Sequence, residues 1–222
     1  MKCKLVNENF YSNYVENLLK ARGVENIEDF KHPTAKYLQA PDDLKNIGMA
    51  TALYTRIALQ EEPKILIVVD SDNDGYTSAA IIYQYTELIN PNAKIDYWLH
   101  EGKQHGLQDH IDRLMTENKS YDLIILPDSS SNDAHYHDML DEISLPCLIL
   151  DHHLTDVALS DNAVVVNNQL SPKYKNKELT GAGVVYQFCR YCDKKLGVNY
   201  ADKFIDLAAW GVSIIAPLYL FH

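Results

Sequence analysis

The stretch KILIVVDSDNDG, Lys64 to Gly75, decides the fold. After Lys64 it runs through five Ile, Leu and Val residues, the texture of a strand buried on both faces of a parallel sheet. It then turns into three carboxylates within five residues, Asp70, Asp72 and Asp74, closed by Gly75. An amphipathic stretch follows near Ser78 to Leu88, so the unit reads as strand, acidic loop, helix.

The same texture repeats downstream. Apolar runs predict strands at Lys94 to Leu99, Leu123 to Leu126, Cys147 to Leu150 and Val164 to Val166. Between and after them, helices are expected near Leu107 to Glu117, Ala134 to Ile143 and Gly183 to Lys194, with a last helix from about Tyr200 through Trp210. Upstream, Phe10, Tyr14, Leu18 and Leu19 fall at helical spacing and the run stops at Gly23, a glycine C-cap signal. Pro33 and Pro41 predict loops and short turns, followed by a helix near Gly48 to Gln60. The predicted architecture is α/β, a mainly parallel sheet flanked by helices at 63–222, with a helical N-terminal extension packed on it at 1–62.

In an open α/β sheet, ligands bind at the carboxyl ends of the strands. Three of these ends carry metal-type ligands: Asp70, Asp72 and Asp74 after the first strand, Asp128 after Pro127, and Asp151-His152-His153 after Leu150. Carboxylates packed this closely repel one another unless a cation holds them together. An oxygen-rich set with imidazoles and no thiolates suits Mn²⁺ or Mg²⁺. A carboxylate bridging two such cations about 3.5 to 4 Å apart is the arrangement that activates water for phosphoryl displacement. Phosphoester hydrolysis is the implied reaction.

Each signal has a blander explanation alone. A D-x-D-x-D-G run also opens an EF-hand loop, but that loop needs a Glu where this sequence has Ile81, and a helix where it has a strand. A lone Asp after a strand is commonly a turn or cap residue. Three clusters at three successive strand ends are what favour a metal centre. Cys189 and Cys192 lie in an expected helix without a second cysteine pair, which favours packing over zinc. His135 and His137 stand in a polar stretch and read as surface residues. Tyr76, beside the acidic loop, is placed either to stack a nucleobase or to enter the core.

The motifs themselves carry a resemblance. IVVDSDNDGYTS (Ile67 to Ser78) resembles the first motif of the DHH phosphoesterases, and Asp151-His152-His153 is the motif that names them. LLKARGVENIEDF (Leu18 to Phe30), His105-Gly106-Leu107 and ELTGAGV (Glu178 to Val184) are similar to segments of the RecJ single-strand nucleases, so the likeness runs from about Leu18 to Trp210. It implies a divalent-metal-dependent phosphoesterase that hydrolyses phosphodiester bonds of single-stranded DNA by metal-activated water. It further implies that Asp70, Asp72 and Asp74 serve the first motif, with Asp72 and Asp74 on different metals and Asp128 bridging them. His152 would bind a metal, His153 would face the second metal or the scissile phosphate, and Asp151 would orient the pair. His105, Tyr76, Gly181 and Gly183 are the residues expected near substrate.

Two departures accompany the likeness. The family's fourth motif, approximately D-L-x-A-L-G-T-x-A-D, begins at Asp206-Leu207, but its final ligand position falls on Ile215, which leaves the second metal short of a carboxylate. The DHH-associated second domain is also expected to be absent. Two alternatives therefore stay open: a phosphodiesterase for short oligonucleotides or cyclic dinucleotides, and a truncated or inactive DHH domain acting as a binding protein. The apolar tail VSIIAPLYLFH (Val212 to His222) is the expected contact for a protein partner or a second copy.

Composition sets the outer bounds. With 20 Lys+Arg against 31 Asp+Glu the formal charge is −11 over 222 residues, so the surface field repels polyanions, and nucleic acid must bind through metal or a local basic patch. Lys173, Lys175 and Lys177 form the one local concentration of basic residues. No apolar run approaches the roughly 20 residues of a membrane span. Four cysteines and the lack of an N-terminal apolar segment lead us to expect a cytoplasmic protein.

Overall fold

A computed structural model describes residues 13–32, 34, 38–100, 106–116 and 120–211. His105, Ile215 and the apolar tail, all singled out above, lie outside them. The chain divides into two compact units, Met1–Gln39 and Ala40–His222.

In the first unit, α1 (Tyr14–Ala21) ends where the sequence predicts. Gly23 adopts φ +80°, and the amides of Gly23 and Val24 return to the carbonyls of Lys20 and Leu19, a Schellman closure that needs this left-handed residue. α2 (Ile27–Lys31) is capped by Asn26, whose side chain accepts the Asp29 amide at 3.0 Å.

The second unit holds a five-stranded, all-parallel sheet. In chain order its elements are α3 (Ile47–Ala58), β1 (Lys64–Val69), α4 (Asn73–Ile89), β2 (Lys94–Leu99), α5 (Ile111–Thr116), β3 (Leu123–Pro127), α6 (Ala134–Glu142), β4 (Cys147–Asp151), β5 (Ala163–Asn167) and α7 (Gly181–Leu196). A 3₁₀ turn at Ala201–Phe204 leads into helical residues 205–211. The strand order is β2-β1-β3-β4-β5. Connections leave β1 in one direction and β3 in the other, so a topological switch point falls between β1 and β3.

The unbroken apolar texture of β1 has a simple cause, because successive side chains serve different cores. Ile65, Ile67 and Val69 enter the core formed with α3, α4 and α7, while Leu66 and Val68 enter the one formed with α5 and α6. Each such side chain contributes about 1.5–3 kcal/mol through burial. Cys189 and Cys192 are buried in the first core, as packing residues. Within it the Tyr54 hydroxyl pairs with Thr86 at 2.9 Å and its ring meets Phe188 edge-on. Among the described residues no helix is long and apolar enough to cross a membrane.

Two expectations need correction. α4 begins at Asn73 rather than near Ser78, because Asp72 caps it by accepting the Gly75 amide at 2.9 Å, so much of the acidic loop is already helix. His137 is not at the surface. α6 turns it onto the sheet beside Leu140, where it is fully buried, whereas His135 is exposed.

Candidate metal centre

The carboxyl ends of β1, β3 and β4 are adjacent, and they deliver the three acidic clusters to one place. Asp70 follows β1 directly and is buried, as is Asp128 after β3. Asp128 takes φ +67°, a left-handed backbone that Asp tolerates better than most residues. Asp151 is the final residue of β4 and is buried.

Two groups of potential ligands result, with Asp128 common to both. Oxygens of Asp70, Asp72 and Asp128 lie within 4.8 Å of one another, and so do ligand atoms of Asp128, His152 and His153. His152 Nε2 stands 3.2 Å from Asp128 Oδ1. That oxygen is buried and receives no hydrogen bond from any described residue. Burial, and then the negative charges of Asp74, Asp151 and Asp72, push the Asp128 carboxyl well above its ordinary value. A buried carboxylate with an unfilled lone pair, ringed by other acids and faced by an imidazole, fits a divalent cation.

Asp151 contacts both histidines that follow it. Its Oδ1 lies 2.8 Å from His153 Nδ1 and also accepts the His152 amide, while Oδ2 accepts the Ser131 amide at 3.0 Å. Burial alone would raise the Asp151 carboxyl, but these hydrogen bonds and the His153 ring hold it far below the usual range. In turn the hydrogen bond that His153 donates to Asp151 raises the His153 ring, against the opposing effect of its burial. With its proton held at Nδ1, a neutral His153 presents Nε2 as the free ligand atom.

Asp74 also accepts hydrogen bonds from the start of α7. Its carboxylate accepts the amides of Gly181 and Ala182 at 2.7 and 2.9 Å, at the positive end of α7, and it belongs to neither ligand group. His152 Nε2 lies 3.6 Å from it. A Cβ at Gly181 would overlap the Asp128 carboxylate, so this glycine allows α7 to reach the site. Gly183 is buried under Leu179 and gives its amide to Thr180 Oγ1, a capping and packing role. Tyr76 is 47% exposed on the rim. The helix 205–211 also arrives here, since a Cβ at Gly211 would lie 2.7 Å from Asp74 Oδ1. Asp206 is exposed and accepts the Leu207 amide.

Sequence reasoning missed Asn167. At the end of β5 its amide nitrogen donates to Ser131 Oγ and to the His153 carbonyl, both at 2.9 Å, tying together the loops that follow β3 and β4. The signal was available, because Asn167 follows an apolar strand as the other site residues do. Lys177, in contrast, is withdrawn from any basic patch: its ammonium donates to the carbonyls of Asn168 and Ser171 at 2.6 and 2.9 Å.

Residues 64–212 match the model of the DHH family, N-terminal domain. Over 212 residues the chain is 38% identical to the SPbeta prophage-derived protein YorK of Bacillus subtilis, named for single-strand DNA-specific exonuclease activity, covering 95% of this chain and 36% of YorK. It is 27% identical to the single-stranded-DNA-specific exonuclease RecJ of Bacillus subtilis, covering 92% of this chain and 26% of RecJ. The chain thus spans roughly a third or less of these relatives. A crystal structure of exonuclease RecJ bound to manganese is similar with a TM-score of 0.67 at 25% identity, covering 76% of this chain and 42% of that one. RecJ from Thermus thermophilus in complex with Mn²⁺ shares the fold with a TM-score of 0.70 at 24% identity, over 87% of this chain and 27% of that one.

Proposed function

This chain belongs to the DHH family, and from that premise we propose that it is a divalent-metal-dependent phosphodiesterase acting on single-stranded DNA. The observation that carries the reading is the pair of ligand groups sharing buried Asp128 at the ends of three neighbouring parallel strands. In this reading Asp70, Asp72 and Asp128 would hold one cation and Asp128, His152 and His153 a second, of the Mn²⁺ or Mg²⁺ class. When bound, such a pair polarises the phosphoryl oxygens and lowers the pKa of water.

The chain's own residues supply the organisation. Asp151 fixes the His153 tautomer and ring orientation, and Asn167 fastens the backbone of His153. Asp74 docks the start of α7 against the site, and Gly181 leaves the Asp128 carboxylate its space. In the net reaction water's oxygen bonds to phosphorus, the ester P–O bond breaks and the released alkoxide takes a proton. No Ser or Cys nucleophile is required. The engagement of Lys177, together with the charge of −11, favours short strands over long duplex-like tracks as substrate.

The test is nucleotide release from a single strand with Mn²⁺ by the wild-type chain and by Asp128→Ala. Release that disappears in the variant is expected. Equal release by both proteins, or none by the wild type with any divalent cation, would refute the proposal.

A further inference from the structure

Beside the metal centre lies an apolar cavity of about 350 Å³, within the range of small-molecule sites. Its floor comes from two neighbouring strands. Ile67 and Val69 of β1 stand in register with Tyr97 and Leu99 of the edge strand β2, and all four side chains face α4. Its wall comes from α4, with Tyr76 and Tyr83 on one stripe separated by Ala79 and Ala80. Tyr97 is 61% and Leu99 47% exposed. Among the described residues, no charged side chain lines the cavity.

The position of the cavity identifies its occupant. Tyr76 and Tyr83 lie on one face of α4, and the Tyr76 amide donates to the carbonyl of Asp72 at 2.9 Å, so the aromatic stripe starts one turn from a residue of the first ligand group. Val69 likewise immediately precedes Asp70. The lining suits a flat, uncharged group, whereas a phosphate would find no side-chain donor in it beyond the tyrosyl hydroxyls.

We propose that the cavity between α4 and β2 binds the nucleobase of the nucleotide next to the scissile phosphate, stacked by Tyr76 and Tyr97. The inference rests on the single-strand reading above and adds to it a subsite with a stated ligand. Tyrosine faces stack every base, and the lining offers no side-chain amide or charge to read base edges, so the subsite is tolerant of sequence.

An abasic scan tests it. A short oligothymidylate with phosphorothioate linkages, intact or lacking the base at one position at a time, is titrated in the presence of Mn²⁺ against the wild type, Tyr76→Ser, Tyr97→Ser and Tyr97→Trp. Loss of the base at one position is expected to weaken binding by the wild type about ten-fold, in line with the usual strength of a stacked base. The same loss should have no effect in the two Ser variants, and Tyr97→Trp should restore it. A flat abasic profile, or a profile unchanged in the Ser variants, overturns the subsite, as does failure of the wild type to bind any strand. Hydrolysis of the unmodified strand is scored separately: release with a flat profile removes the subsite but keeps the nuclease, whereas a positional effect without release does the opposite. Thermal melts of the variants verify folding, which exposed Tyr97 does not govern.

Discussion

His153 Nδ1 lies 2.8 Å from Asp151 Oδ1, joining a half-exposed ring to a buried carboxylate. Asp151→Asn keeps the shape but places a second donor against the Ser131 or His153 N–H. Mn²⁺ affinity should fall roughly 10- to 100-fold, measured by calorimetric titration, as expected for loss of a partner that orients a ligand. The His153 ring should also titrate at a lower pH in the metal-free variant, as read by NMR. An unchanged ring titration would contradict the pairing.

The same pair sets a pH window for the metal-free fold. His153 is raised, so its contribution is complete below the unfolded value of about 6.5 and is lost as pH rises through the higher folded value. Asp151 is depressed, so its contribution is complete above about 3.9 and is lost as pH falls through the lower folded value. Both therefore act together between about pH 4 and 6.5, and the stability difference between wild type and Asp151→Asn should be greatest there. Denaturant midpoints across that range measure it.

Asp128 behaves in the opposite sense. Its carboxyl is raised in the fold, so its favourable state is the protonated one, and near neutral pH burial works against stability unless a cation is present. Asp128→Asn removes the charge and suits the left-handed backbone. Without metal, the variant should melt about 2–4 °C higher for each kcal/mol relieved. With Mn²⁺ the order should reverse, because only the wild type gains from the cation.

Gly181→Ala should be costly out of proportion to one methyl group. Its Cβ would overlap the Asp128 carboxylate while the Gly181 amide is held by Asp74. Overpacking of this kind typically costs about 1–3 kcal/mol. Loss of Mn²⁺ binding should accompany the lower melting temperature.

Buried His137, a member of neither ligand group, gives a further prediction. Burial lowers its folded value, so the unfolded chain takes up the proton first. Its contribution is intact above about pH 6.5 and declines as pH falls below that value. His137→Leu should flatten the loss of stability between roughly pH 7 and 5, measured by urea denaturation.

The five strands were legible because strands buried on both faces lack polar alternation, and the three ligand clusters because each follows such a run. The contacts of Asp74 were not. Asp74 also holds the start of α7 through amides at Gly181 and Ala182, more than a hundred positions away, which no local pattern encodes. His137 was misjudged for a related reason. Its neighbours in the chain are polar, and only the docked helix reveals that the face carrying His137 and Leu140 is buried.

Because the ligand groups draw on the ends of β1, β3 and β4, a cation seated there ties together chain segments that are distant in sequence, as a reversible staple would. An unfolded chain cannot assemble that set of ligands. On the proposed function, Mn²⁺ would therefore stabilise the folded α/β unit, by a free energy that rises with the logarithm of free cation concentration above the dissociation constant, and slow its proteolysis.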